Sequence, residues 1–126
     1  MILKKDSIIS ISRLFNLSCT GFEQDWDIEM ADSSRINEFL RFYPRLNLSD
    51  SERIALMALI FASYDDLLNE MTENKIWIEI TTNIVKDKEL FKDLLDYWSL
   101  VEEKESDDLF NITTKVRRLK EELHDM

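Results

Sequence analysis

The run Ser49-Asp50-Ser51-Glu52-Arg53-Ile54-Ala55-Leu56-Met57-Ala58-Leu59-Ile60-Phe61-Ala62-Ser63-Tyr64-Asp65-Asp66-Leu67-Leu68 decides the fold. Its first four residues read as a capping box. The Ser49 hydroxyl is placed to accept from the Glu52 amide, and the Glu52 carboxylate to reach back. Beyond the cap, Ile54, Leu56, Met57, Leu59, Ile60, Phe61, Tyr64 and Leu67 leave no polar face. A helix that is apolar all round belongs inside a bundle. The expectation is therefore a central helix over about residues 50–70, with the rest of the chain wrapped around it.

Composition agrees with that reading. The 126 residues include one glycine and one proline, although 44% are hydrophobic. Gly and Pro punctuate turns and sheets, so their scarcity favours helices. On either side of the central run the apolar spacing is three or four. Asp6 or Ser7 is expected to cap a first helix carrying Ile8, Ile9, Ile11, Leu14, Phe15 and Leu17. Ser33 or Ser34 is expected to start the next, which Pro44 ends near Phe42 or Tyr43. Thr72 can cap a segment with Ile76, Ile80 and Ile84 on one face; Ile76, Ile78 and Ile80 also alternate as a strand would, and helix is the reading preferred. Asp87 opens a helix striped by Leu90, Leu94, Trp98 and Val101. Ser106 or Asp107 starts the last, with Leu109, Ile112, Val116, Leu119 and Leu123 along one seam. The expected fold is all-α, a single-domain bundle of six or seven helices spanning residues 1–126.

The charge balance points to a class of partner. Twenty-six carboxylates face sixteen Lys and Arg, a net charge of −10. Such a surface is repelled by phosphate backbones and anionic lipid, so direct nucleic-acid or membrane binding is not expected, and a basic protein is the natural complement. The longest apolar run, Ile54 to Ala62, is about half of a bilayer span. With a lone Cys19 and no long apolar stretch near the start, a cytoplasmic protein is expected.

No constellation of catalytic type stands out. His124 is the only histidine, so the second Glu-x-x-His of a di-iron bundle is missing. Asp25-x-Asp27-x-Glu29 lacks the sixth-position glycine and twelfth-position glutamate of a calcium loop. A single glycine excludes a Gly-rich phosphate loop. Lys115, Arg117, Arg118 and Lys120 form one basic patch, best read as complementing a helix C-terminus and pairing with local acids. Neither metal nor cofactor is expected, nor enzymatic activity.

Three acidic clusters remain. Glu23, Asp25, Asp27 and Glu29 surround Trp26; Asp65 and Asp66 follow Tyr64; Asp107 and Asp108 belong to the charged break before the last helix. Charge runs are ordinarily solvated surface. Carboxylates beside a large aromatic are also a recipe for a hot spot against a basic partner. These ten residues are the candidate partner-binding set, and exchanging Asp25 and Asp27 for Lys is expected to slow association more than it unfolds the protein.

Three stretches taken together resemble a known group: Gly21-Phe22-Glu23-Gln24-Asp25-Trp26-Asp27-Ile28-Glu29; Asn37-Glu38-Phe39-Leu40 with Ala55-Leu56-Met57-Ala58-Leu59-Ile60 and Ser63-Tyr64-Asp65-Asp66; and Tyr97-Trp98 with Asp107-Asp108-Leu109-Phe110-Asn111-Ile112-Thr113. The combination resembles the small helical immunity proteins of bacterial polymorphic toxin systems, notably contact-dependent growth inhibition. The resemblance implies a cytoplasmic protein that binds a basic toxin domain, the C-terminal effector of a large secreted protein; a monomer pairing one-to-one with that domain is the default expectation. That toxin would be a nuclease, with tRNA cleavage one such activity. The alternative is an acidic nucleic-acid mimic or another interaction protein, and after that an enzyme with a carboxylate-only site.

Overall fold

The computed structural model describes residues 3–100 and 109–126. Seven α-helices and one 3-10 turn are present among them, and no strand. They are α1 (Lys5–Leu14), α2 (Trp26–Glu29), the 3-10 turn Ser33–Arg35, α3 (Ile36–Phe42), α4 (Asp50–Leu68), α5 (Lys75–Lys86), α6 (Lys92–Ser99) and α7 (Thr113–His124).

The central helix is α4. Its capping box forms as the sequence implies: Ser49 Oγ accepts from the Glu52 amide at 3.2 Å, and Glu52 Oε1 accepts from the Ser49 amide at 2.9 Å. Glu52 also accepts from the Ser10 hydroxyl, which ties the start of α4 to α1. Every residue from Ala55 to Tyr64 is buried. α1, α2, the 3-10 turn and α3 pack on α4, while α6 packs against α7. Aromatic rings join the halves. Tyr64 stacks on Trp77 of α5 at 5.7 Å, and Phe61 lies 6.1 Å from Trp77 and 6.3 Å from Trp98 of α6.

Several helix starts differ from their sequence expectations, because a neighbouring residue caps instead or a tertiary contact claims the expected one. α1 begins at Lys5 with Lys4 as its N-cap, and Ser7 is buried against the core rather than capping. Asp32, not Ser33 or Ser34, accepts the amide that opens the 3-10 turn. Thr72 precedes the true start of α5, where Glu73 Oε1 takes the Ile76 amide at 3.0 Å. Segment 75–86 is helical throughout, so the β-branched Ile76-x-Ile78-x-Ile80 alternation carries no strand. Asp87 opens no helix; its carboxylate is the partner of Arg53 from α4, and α6 begins five residues later. α7 starts at Thr113, after Leu109 and Phe110, so the seam expected from Leu109 is shorter. The proposed caps Ser106 and Asp107 lie outside the described residues.

The α6–α7 junction shows how orphan carbonyls are satisfied. α6 ends with Leu100 in the left-handed region at φ 49°. The last carbonyls of such a helix have no partner of their own. Here Thr113 Oγ1 donates to the Trp98 carbonyl at 2.9 Å and Arg117 Nε to the Ser99 carbonyl at 2.8 Å. Lys120 pairs with Asp96 at 2.7 Å and Lys115 donates to Asn74 Oδ1 at 2.8 Å. Three cations of the basic patch are thus engaged in holding α7 against its neighbours.

Candidate acidic interface

The segment between α1 and the 3-10 turn carries the first acidic cluster, and its geometry follows from its one glycine. Gly21 sits at φ +88°, where side-chain-bearing residues are strained. That turn points two backbone N–H groups at a single carboxylate. Glu23 Oε1 accepts from the Thr20 amide at 2.6 Å and Oε2 from the Gly21 amide at 3.0 Å, with the Thr20 hydroxyl at 3.0 Å and the Cys19 thiol at 3.6 Å as further donors. The Thr20 amide foremost holds the Glu23 carboxyl well below the usual range, at about 2. Glu23 organises the loop and is not free to lead an encounter.

Beyond the loop, α2 is two-sided. Trp26 is 2% exposed and donates from its indole N–H to Ser12 Oγ at 2.9 Å. Asp27 is 5% exposed. Facing outward are Phe22 at 85% exposure, Ile28 at 43%, and the carboxylates of Asp25 and Glu29. Glu29 also accepts the Asp25 amide at 3.0 Å, closing the turn on itself. The segment therefore exposes two apolar side chains and two carboxylates beside a core aromatic, and the Lys5 ammonium lies 4.9 Å over the Phe22 ring.

Asp32 joins the end of this segment to α4 near the second cluster. The Asp32 amide donates to Ser63 Oγ of α4 at 3.0 Å. Partial burial first, then Glu70 and Asp32, raise the Asp66 carboxyl above its ordinary value. Asp66 and Glu70 are exposed. Asp65 is half-buried, and its Oδ1 accepts the Ile112 amide at 2.9 Å, anchoring the entry to α7. Burial pushes its carboxyl up, against the pull of that amide.

Trp26, Asp27 and Tyr64 are corrected as contact residues. All three are inside, Tyr64 completely, with its hydroxyl donating to the Glu73 carbonyl. Apolar rings placed next to charged runs are drawn into the core because burying them removes large areas from water. Glu23 and Asp65 are structural acceptors first. Asp25, Glu29 and Asp66 stand on the surface as expected. Asp107 and Asp108 lie outside the described residues. Phe22 and Ile28, which sequence reasoning did not select, are the large apolar side chains of the segment that reach solvent.

Among the described residues no group of three or more His, Cys, Asp or Glu is arranged to hold a metal ion, and no helix is long and apolar enough to cross a membrane. Comparison with family models, with curated proteins and with solved structures finds no match.

Proposed function

We propose that this protein is an immunity protein that binds a basic toxin domain one-to-one in the cytoplasm and blocks it. The observation carrying the reading is the segment 22–29, where Phe22, Asp25, Ile28 and Glu29 are all exposed on a base fixed by Trp26. Compact interfaces combine exposed apolar side chains of this kind with charged neighbours. The aromatic gains affinity through burial, and the charged neighbours exclude water and discriminate charge. The net charge of −10 adds long-range attraction towards a basic surface such as that of a nuclease. The Trp26–Ser12 bond ties this segment to α1, and a segment held in place before binding pays less to be ordered.

The test begins with the neighbouring gene. A large secreted protein ending in a small basic domain is expected there. Co-expressed with this chain, that domain should co-purify at one-to-one stoichiometry and lose its toxicity. A neighbouring toxin domain that forms no complex at low salt, and still kills cells carrying this protein, overturns the proposal.

A further inference from the structure

α5 turns to solvent a face that its own fold leaves uncovered. Ile80, Asn83 and Ile84 are buried on one side of the helix. On the opposite side Lys75, Ile78, Glu79, Thr82, Val85 and Lys86 are all exposed, Ile78 at 64% and Val85 at 40%. The outer side of a surface helix is ordinarily polar. Here Ile78, Thr82 and Val85 recur at i, i+4 and i+7, so two apolar side chains flank a threonine along one stripe. The Thr82 hydroxyl already donates to the Ile78 carbonyl at 2.8 Å. Among the described residues Lys75, Glu79 and Lys86 carry no ion pair.

This face is self-complementary. With about 3.6 residues per turn, Thr82 lies at the middle of the exposed side, Ile78 and Val85 along one edge, and Glu79 and Lys86 along the other. Two such helices packed antiparallel about a two-fold axis at Thr82 keep apolar edge with apolar edge and charged edge with charged edge. A residue before Thr82 on one copy then meets the residue about as far after Thr82 on the other. Ile78 meets Val85 of the second copy and Glu79 meets Lys86 of the second copy, and the symmetry makes each contact twice. A parallel pair would instead set Glu79 against Glu79 and Lys86 against Lys86, which repel. Charge therefore selects the antiparallel pair.

The charge of the whole chain narrows the occupant. A net charge of −10 keeps copies apart wherever acids face each other. The exposed side of α5 holds two lysines against one glutamate, so copies can approach there without opposing carboxylates. A basic partner, which Asp25 and Glu29 would attract, finds no complement on it.

We propose that the exposed side of α5 is a self-association surface on which a second copy of this chain docks antiparallel, forming a weak two-fold dimer. The proposal goes beyond the toxin-binding reading and does not depend on it, because α5 shares no residue with segment 22–29. A helix of 12 residues is about 18 Å long, too short to bury the roughly 800 Å² per partner of a standard interface. The dissociation constant is therefore expected at about 0.1–1 mM.

The test is sedimentation equilibrium of the full chain from about 20 µM to about 1 mM, with ¹H–¹⁵N correlation spectra over the same dilution series. The mass is expected to rise from 15.0 kDa towards twice that value, with concentration-dependent shifts centred on the α5 amides. Ile78→Glu should weaken the pair at least ten-fold. Glu79→Lys should weaken it several-fold by setting a second cation against Lys86, and the double exchange of Glu79→Lys with Lys86→Glu should restore it. These side chains are exposed, so the variants should keep the melting temperature of the parent within a few degrees. A mass that stays at 15.0 kDa up to about 1 mM overturns the proposal. So does an affinity that Ile78→Glu leaves intact, or a double exchange no better than Glu79→Lys alone. A monomer whose α5 amides are protected by a basic toxin domain also overturns it, since the face would then belong to that partner.

Discussion

The indole N–H of Trp26 and the hydroxyl of Ser12 are hydrogen-bonded at 2.9 Å in a site closed to solvent. This one bond fastens α2 to α1 and sets which side of the acidic segment faces outward. Ser12→Ala leaves a buried N–H unpaired and is expected to cost about 1–3 kcal/mol. Trp26→Ala removes the anchor altogether and should cost about 3–5 kcal/mol. Urea denaturation checks both. A Trp26→Ala protein as stable as the parent would show that the segment is not held this way.

Charge reversal separates surface from core within two residues. Asp25 is exposed, so Asp25→Lys should leave the melting temperature within a few degrees and slow association with a basic partner. Asp27→Lys places an ammonium at a buried position and should unfold the protein or cripple its stability. The two exchanges, paired on the sequence, thus fall on opposite sides of the surface. The association rate of the parent should also fall with salt, since rim charges are screened over about 8 Å at physiological ionic strength. Stopped-flow association at low and high salt reads the effect, and a salt-independent rate in the parent contradicts it.

Asp65 connects two distant parts of the chain through the Ile112 amide at 2.9 Å. Asp65→Ala strands that amide and should destabilise by about 1–3 kcal/mol, with hydrogen-exchange protection lost first at the start of α7. Asp65→Asn keeps an acceptor and should recover most of the loss. Equal damage from both variants would mean that the charge, and not the acceptor, matters.

The acid limb of stability should carry a Glu23 signature. Its carboxyl titrates near 2 in the folded protein against 4.5 for the ordinary group. A lowered folded value means stability that is present above 4.5 and is lost as the pH falls towards 2. Asp27, Asp65 and Asp66 are raised and act with the opposite sign, gaining stability as pH falls through their folded values. Comparing melting temperatures of the parent and Glu23→Gln isolates the first effect. The gap between them should be widest near neutrality and shrink between pH 4.5 and 2. A gap that stays constant over that range would refute the assignment.

Much of the fold was legible in the chain. The 50–68 helix, its Ser49–Glu52 cap and the stop at Phe42 before Pro44 depend on neighbours within a turn or two, and periodicity reads such neighbours directly. The start of α6 was misplaced because Asp87 is claimed by Arg53 of α4, and that of α5 because Glu73, next to Thr72, is an equally good local acceptor. The candidate site was legible as a segment but not as a face. Asp25 and Glu29 could be named from composition, whereas the inward turn of Trp26, Asp27 and Tyr64 could not.

What the sequence by itself determined is an all-helical domain built on one wholly apolar helix, with an excess of negative charge left for its surface. Those properties follow from composition and spacing, which are local and additive. Only the tertiary structure decided which acids are exposed, which support loops, and which is buried with one oxygen left unpaired. Burial depends on what distant segments bring to the same place: Ser12 to Trp26, Ile112 to Asp65 and Tyr97 to Asp27, and no spacing within residues 20–30 contains that information.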